Sequence, residues 1–236
     1  MMDKRVPDVP AALADVQDGA MVLIGGFGES GSPIELIHGL IDQGARGLTV
    51  VSNNTGNGEV GLAALIKAGR VAKMVCSYPR SSNSKVFPEL YRKGEIELEL
   101  VPQGTLAERI RAGGAGVPAF YTPTGAGTVL AEGKETRDFD GRTYVMERAI
   151  RADFALVRAE LGDRFGNLTF NKAGRNFGPV MCMAAKTAIA QVRRFVPAGE
   201  IDPEHVVTPG IFVGRVVEVP EPAQESALIE QGVSYP

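Results

Sequence analysis

The segment from Asp18 to Pro33, DGAMVLIGGFGESGSP, constrains the fold of this chain more than any other. Its apolar run, Met21 to Ile24, is typical of a strand that is covered on both faces. The glycines at 25, 26, 28 and 31 then predict a turn whose backbone can approach a ligand closely. Ser32 and Glu35 fit a capping box around a proline at the first helical position. The segment therefore predicts a strand, a glycine-rich turn and a helix, in that order.

The glycine-rich turn is also a candidate ligand site. Its unsatisfied backbone N–H groups and the positive end of the following helix would converge on one point, which suits a phosphate or a thioester oxygen. A tight turn that binds nothing is the alternative. The candidate residues are Gly25, Gly26, Phe27, Gly28, Glu29, Ser30 and Gly31.

Gly26, Gly28 and Gly31 have the G-x-G-x-x-G spacing of dinucleotide-binding folds. That motif requires an acidic residue at the end of the second strand, about 20 residues further on, to bind the ribose hydroxyl. Here the second predicted strand, Leu48 to Val51, is followed by Ser-Asn-Asn, and the next acidic residue is Glu59. The pattern therefore argues against a nicotinamide cofactor.

Strands and helices alternate through the first half of the chain. Apolar runs at Leu48–Val51, Val71–Cys76 and Ile96–Val101 predict strands, and the amphipathic segments between them predict helices. This alternation is typical of a parallel sheet that is wrapped on both faces.

The pattern changes after Ala112. A run of small residues predicts a loop that can pass close to an acyl chain, and Thr136 to Met146 predicts a hairpin that turns at Asp140-Gly141. We expect one large domain over residues 1–219 and a C-terminal tail over 220–236, either loose or acting as a docking arm. The residues of the predicted loop are Gly113, Gly114, Ala115 and Gly116.

Composition excludes several classes of function. Lys and Arg number 25 against 28 Asp and Glu, so no strong field for nucleic acid or an anionic membrane is expected. The sequence has no apolar run of about 20 residues and no evident signal peptide. Its two cysteines provide no disulfide framework, and we expect a cytoplasmic protein.

Few side chains are candidates for chemistry. His38 and His205 have no partner at metal-ligand spacing, so no metal is expected. Cys76 fits a buried small side chain better than a nucleophile. Glu29 and Glu59 are the acids beside the predicted site loops, and nothing near either one suggests activation.

Amide side chains follow two of the predicted strands. Asn53 and Asn54 come after the second strand, and Gln103 follows the strand that ends at Val101. Ligands of open α/β sheets bind at this carboxyl edge, where an amide can donate to a carboxylate or to a tetrahedral intermediate. The alternative is that these amides satisfy the backbone of their own loops.

Three arginines are candidates for binding a carboxylate or the phosphates of a cofactor-sized substrate. Arg109 and Arg111 fit a solvated helix face better. Arg80 follows a strand end, and its bidentate guanidinium, with Ser81 and Ser82 as further donors, suits a second substrate carboxylate. A solvent-facing loop arginine is the alternative.

The full spacing of the first segment is more specific than its glycines. Asp18-Gly19, three apolar residues, Gly25-Gly-Phe27, Gly31 and Pro33 resemble the signature of the family I coenzyme A transferases. The resemblance is closest to the A subunit, or N-terminal half, of 3-oxoacid CoA-transferases, and it extends to about Val219. It continues through Val51–Gly56, Pro102–Phe120, Thr122–Gly125, Asp153–Leu156, Gly166–Leu168 and Arg175–Phe177.

The resemblance implies a Rossmann-like three-layer α/β sandwich with a mostly parallel sheet, of the kind shared with some sugar-phosphate isomerases, plus a β-hairpin excursion. It implies transfer of CoA from succinyl-CoA to a 3-oxo acid, with no cofactor beyond CoA. Residues 54–62, 76–80 and 176–179 look most like 3-oxoadipate enzymes, whereas Gly113–Pro118 looks more like acetoacetate enzymes.

The family's nucleophile is a glutamate of the B subunit, in a Ser-Glu-Asn-Gly context, and that motif is absent from these 236 residues. The resemblance therefore implies a partner B subunit, in a heterotetramer of two A and two B chains. It assigns oxyanion support to Gln103. In this family, the candidate sites reasoned from the residues above become CoA binding at Gly25–Gly31 and substrate binding at Asn53, Asn54, Arg80, Gly113, Gly114, Ala115 and Gly116.

Two other classes of function stay open. A ligand-sensing module of the same fold would carry a DNA-binding segment, and no basic helix-turn-helix stretch is visible. A self-sufficient isomerase or hydrolase would turn over substrate as this chain alone.

Overall fold

The structure is a computed structural model that describes residues 3–81 and 83–230. Ser82, one of the donors predicted beside Arg80, and residues 231–236 of the tail lie outside the described residues. Within the described part, no helix is both long enough and apolar enough to cross a membrane.

An eight-stranded sheet, parallel throughout, forms the centre of the fold. The runs predicted at Met21–Ile24 and Leu48–Val51 lie in its middle, where they are covered on both faces, whereas the strand predicted at Ile96–Val101 forms an edge of the sheet over Glu97–Leu100. The strands are β1 (Arg5–Val6), β2 (Met21–Ile24), β3 (Leu48–Val51), β4 (Val71–Cys76), β5 (Glu97–Leu100), β9 (Ala152–Asp163), β10 (Ala185–Val196) and β11 (Arg215–Glu218). The chain also forms a three-stranded antiparallel sheet from β6 (Ala119–Thr122), β7 (Thr136–Phe139) and β8 (Arg142–Arg148).

The strand order of the main sheet is β1-β11-β10-β9-β2-β3-β4-β5. The chain runs outward from β2 to β5, then returns to the other side of β2 and runs outward again from β9. The order therefore reverses between β2 and β9, and the glycine-rich turn follows β2 at this switch point. Ligands of open α/β sheets bind at such a point.

Helices cover both faces of the sheet, as the alternating pattern predicted. Residues of α1 to α4 pack in one apolar cluster and residues of α5 and α6 in a second. The predicted three-layer sandwich is therefore confirmed. The helices are α1 (Val9–Leu13), α2 (Ile34–Gln43), α3 (Leu62–Lys67), α4 (Val86–Arg92), α5 (Gln103–Gly114), α6 (Gly178–Ala184) and α7 (Ala223–Glu230).

The predicted hairpin is confirmed. Asp140 and Gly141 connect β7 to β8 with φ angles of 49° and 74°, the left-handed values that a tight two-residue turn requires. The excursion is larger than predicted because β6 pairs with the other side of β8.

The predicted capping box at α2 is wrong. The helix begins at Ile34, Pro33 is its N-cap, and no side chain caps it. The Glu35 carboxylate has another task, because its Oε1 accepts the backbone N–H groups of Gln224 and Glu225 at 2.8 and 3.2 Å. Glu35 thus holds the beginning of α7.

The predicted loop at Gly113 and Gly114 is also wrong, because both residues are the last turn of α5. A Cβ at Gly113 would lie 1.9 Å from the carbonyl oxygen of Ile150, and one at Gly114 would lie 2.6 Å from Cβ of Met183. These glycines therefore allow α5 to pack closely against its neighbours.

The prediction of a loose C-terminal tail is wrong for residues 223–230, because they form α7. Glu225 of this helix is 0% exposed and forms ion pairs with Arg158, at 3.2 Å, and with Arg193. A buried carboxylate is costly without such partners, so these contacts fix α7 on the sheet.

Candidate active site

A pocket of about 440 Å³ lies at the carboxyl edge of the main sheet. Four chain segments form it, following β2, β3, β4 and β5, which all end at the same edge because they are parallel. Its volume suits a small organic ligand. The pocket is lined by Phe27, Gly28, Asn53, Asn54, Thr55, Gly56, Asn57, Tyr78, Ser81 and Gln103.

The sheet brings together the amides that the sequence pointed to. Gln103 Nε2 donates to Asn53 Oδ1 at 2.8 Å, although fifty positions separate the two residues. Ser77 Oγ also lies 2.8 Å from Asn53 Oδ1. Both partners engage the oxygen of the Asn53 amide, so its Nδ2 is the end that can donate to a ligand.

The two amides differ in exposure, since Gln103 is exposed and Asn53 is buried, but both lie where negative charge is favoured. Asn53 is only 3% exposed. Gln103 is the first residue of the 12-residue helix α5, whose positive dipole end therefore faces the pocket. The first helical N–H groups and the amides together form a preorganised set of donors.

The glycine-rich turn forms the opposite wall. The backbones of Phe27 and Ser30 hydrogen-bond each other at 3.0 and 3.2 Å, which closes a tight turn around Gly28. Asn54 ties this turn to the next loop, because its Nδ2 donates to Gly28 O at 3.3 Å while its Oδ1 accepts Gly56 N–H at 2.7 Å. The asparagine thus binds loop backbone, as the alternative interpretation predicted, and also lines the pocket.

Asn176 holds the base of the glycine-rich turn, a role that sequence analysis missed. Its Oδ1 accepts the N–H of Gly26 at 3.0 Å, and its Nδ2 donates to Ser30 O at 3.2 Å. Gly31 packs so tightly here that a Cβ would lie 2.4 Å from Asn176 Nδ2. The one signal in the sequence was that Asn176 belongs to a stretch resembling the family.

Two aromatic rings flank the pocket and remain exposed. Phe27 is 54% exposed and Tyr78 is 58% exposed. Large exposed aromatics beside a pocket are typical of a surface that another group covers. Phe27 was predicted as a site residue, whereas Tyr78, Thr55, Gly56 and Asn57 were missed, although all four lie in stretches that resemble the family.

Several predicted site residues do not line the pocket. Gly25, Gly26, Glu29, Ser30 and Gly31 belong to the turn but lie outside the lining. Arg80 is exposed, and only its neighbour Ser81 reaches the lining.

The predicted substrate loop lies far from this pocket. Gly113 is ten residues along α5 from Gln103, which corresponds to about 15 Å. Gly114, Ala115 and Gly116 lie at the same far end of the helix.

The helical arginines have structural partners. Arg109 is not on a solvated face, because its side chain is 13% exposed and pairs with Glu99 at 2.7 Å. Arg111 does lie on such a face, paired with Glu108 at 2.7 Å.

The acids beside the pocket differ in environment. Burial raises the pKa of Glu29, while hydrogen bonds from Asn57 act in the opposite direction. Glu59 is exposed and pairs with Lys67 at 3.0 Å.

Cys76 and His38 show no activation for chemistry. Burial raises the pKa of Cys76 to about 12, so its thiol stays protonated near neutral pH. His38 Nε2 accepts the N–H of Gly61 at 3.0 Å, and burial lowers the pKa of this histidine. Among residues 3–81 and 83–230, no group of three or more His, Cys, Asp or Glu side chains could hold a metal ion.

The fold and the pocket define a class of protein: an α/β chain with a parallel sheet whose carboxyl edge carries a pocket lined by amide donors. Residues 7–219 match the profile of the Coenzyme A transferase family. The chain belongs to this family, which confirms the resemblance seen in the sequence.

Three known proteins show how close the similarity is. The A subunit of the 3-oxoadipate CoA-transferase of Pseudomonas putida is 62% identical over 96% of this chain and 98% of its own length. The A subunit of the succinyl-CoA:3-ketoacid coenzyme A transferase of Xanthomonas campestris pv. campestris is 50% identical over 97% and 95%. An acyl-CoA transferase of E. coli O157:H7, solved as a thioester complex with CoA, superposes with a TM-score of 0.83 at 25% identity. That match covers 94% of this chain and 51% of the E. coli chain, so this chain spans about half of it.

Proposed function

We propose that this chain is the A subunit of a CoA transferase that moves CoA from succinyl-CoA to 3-oxoadipate. The observation that carries the proposal is the bonded amide pair of Asn53 and Gln103 at the helix end that faces the pocket. The 62% identity to a chain named for 3-oxoadipate supports the choice of acceptor.

The amide pair suits the first chemical step of CoA transfer. Attack of a carboxylate on a thioester carbonyl carbon places a negative charge on the carbonyl oxygen. Donors that are already fixed by other bonds stabilise that charge without reorganising. Asn53 Nδ2 and the second N–H of Gln103 Nε2 would donate to this oxygen, and the glycine-rich turn would hold the CoA portion.

We propose that the attacking glutamate comes from a partner B subunit, with two A and two B chains in the complex. The Ser-Glu-Asn-Gly motif is absent from the 236 residues. Neither acid beside the pocket is suited to the task, because Glu29 is hydrogen-bonded by Asn57 and Glu59 is exposed and paired. The two relatives compared above are themselves named as A subunits.

The purified chain alone is expected to exchange no CoA between succinyl-CoA and 3-oxoadipate. Adding a B-type chain that carries the glutamate motif should produce turnover, because the amides of Asn53 and Gln103 then face a nucleophile. The assay is the formation of the 3-oxoadipate thioester, with the B-type chain alone as the control. Steady turnover by this chain alone would contradict the proposal.

Acetoacetate is the second candidate acceptor. The 50% identical relative is named for 3-keto acids in general, and the lining of the pocket in the described part of the chain contains no Lys or Arg. A dicarboxylic acceptor needs partners for its second carboxylate, because an unpaired buried charge is costly. Acetoacetate has no such group.

Arg80 is our proposal for the partner of that second carboxylate, since it directly precedes Ser81 of the lining. Arg80→Met is expected to lower kcat/KM for 3-oxoadipate by about tenfold or more, which corresponds to about 1.4 kcal/mol, and to spare any acetoacetate activity. The measurement is steady-state kinetics of the assembled enzyme with both acceptors. Equal losses would place Arg80 in CoA binding or assembly, and no loss would return it to the surface.

A further inference from the structure

We propose that Asn57 is a positioning residue that joins the three loops on one side of the pocket through Glu29 and Ser81. Its amide Nδ2 donates to Glu29 Oε1 at 2.9 Å, and its Oδ1 accepts the hydroxyl of Ser81. The three residues follow β2, β3 and β4, respectively. We call this set the Glu29–Asn57–Ser81 bridge. Its role in catalysis rests on the proposed function.

The bridge matters most for the glycine-rich turn. The other two loops are already joined by Thr55 Oγ1, which donates to Pro79 O at 2.8 Å, and by a bond of 3.0 Å from Gly58 N to Asn83 O. The glycine-rich turn contacts the β3 loop through the Asn54 bond to Gly28 O, which is 3.3 Å long. The bond between Asn57 and Glu29 is therefore the shorter of these two side-chain links from the β3 loop to the turn, whose base is held separately by Asn176.

The bridge also keeps a carboxylate away from an anionic substrate. Asn57 and Ser81 line the pocket, whereas Glu29, whose carboxylate is bound by Asn57, does not. Burial raises the pKa of Glu29, and the side chain and backbone of Asn57 lower it. Among the described residues, no charged side chain contributes to this shift. Asn57 is thus the group that holds Glu29 in place.

The bridge can be tested by exchanging the amide of Asn57 and the carboxylate of Glu29 between the two positions. Asn57→Asp places two carboxyl groups at hydrogen-bond distance, and their repulsion should lower kcat/KM of the assembled enzyme about tenfold at about pH 8. The loss should shrink toward about pH 5.5, where one carboxyl takes up a proton and the hydrogen bond reforms. Substitution of Glu29→Gln in the same chain lets an amide donate to Asp at position 57. This double variant should recover to within about threefold of the wild type at both pH values.

The matched control is Asn83→Asp. This residue is exposed on the β4 loop and contributes only its carbonyl oxygen to the contacts described above. It adds the same negative charge near the pocket without touching the bridge, so its kinetics should match the wild type at both pH values.

A second measurement does not depend on turnover. Amide hydrogen exchange of the full chain should be about tenfold faster across residues 26–31 in Asn57→Asp and should return to the wild-type rate in the double variant. If the wild-type complex transfers no CoA, the proposed function fails, but the hydrogen-exchange rates of the single and double variants still test the bridge. A double variant as impaired, and as rapidly exchanging, as Asn57→Asp would overturn the bridge.

Discussion

Replacing Gln103 with alanine is expected to lower kcat about 10²-fold, the usual effect of losing one donor to an oxyanion. The substitution removes a side chain that lines the pocket and that donates to Asn53 Oδ1 at 2.8 Å. Asn53 then keeps only the Ser77 contact to that oxygen, so its own N–H is less well oriented. KM for succinyl-CoA should change little, because the charge develops only in the transition state.

Gln17→Ala is the matched control, since Gln17 is exposed and its side chain donates to the carbonyl oxygen of Asp15, two positions earlier. Steady-state kinetics of the assembled enzyme, with thermal unfolding of each variant, separate catalysis from folding. An unchanged kcat in Gln103→Ala would show that this amide only supports its loop.

Gly31→Ala is expected to lower the free energy of unfolding by about 3 kcal/mol or more. Gly31 has a φ of +67°, where a Cβ costs about 1–2 kcal/mol by itself. The added carbon would also lie 2.2 Å from the carbonyl oxygen of Gly174. That contact is with backbone, so the turn or the segment before Asn176 must move.

Gly28→Ala separates the two causes. Gly28 has a similar φ of +62°, but a Cβ there meets nothing within 4 Å. Urea unfolding should therefore show the conformational cost alone, about 1–2 kcal/mol. Equal losses at the two positions would contradict the tight packing of Gly31.

Local sequence patterns predicted those elements whose conformation and burial in the fold match the preferences of their own residues. The strands at Met21–Ile24 and Leu48–Val51 have the bounds expected from their apolar runs, because each is covered on both faces. The strand at Val71–Cys76 also has the expected bounds and is buried over its last three residues. The hairpin was predictable because an Asp-Gly pair adopts the left-handed angles of a tight turn. The carboxyl edge of a parallel sheet then explains why Asn53 and Gln103 meet.

Contacts between distant parts of the chain were not predictable in this way. Two adjacent glycines favour a loop by propensity, yet Gly113 and Gly114 form the last turn of α5. They are glycines there because the neighbouring segments leave no room for a Cβ. Asn176 lies 150 positions from Gly26, which it anchors, and no local pattern indicates the bond. The same holds for α7, whose Glu225 finds its arginine partners on β9 and β10.

The central claim is that this chain supplies the amide donors Asn53 and Gln103 to a shared active site, while a partner chain supplies the nucleophile. The most direct test is to incubate the assembled enzyme with succinyl-CoA, trap the enzyme thioester with borohydride or hydroxylamine, and map the modified residue by mass spectrometry. The account predicts a modified glutamate in the partner chain and none in this one. A modified Glu29 or Glu59 would place the nucleophile in this chain and contradict the account.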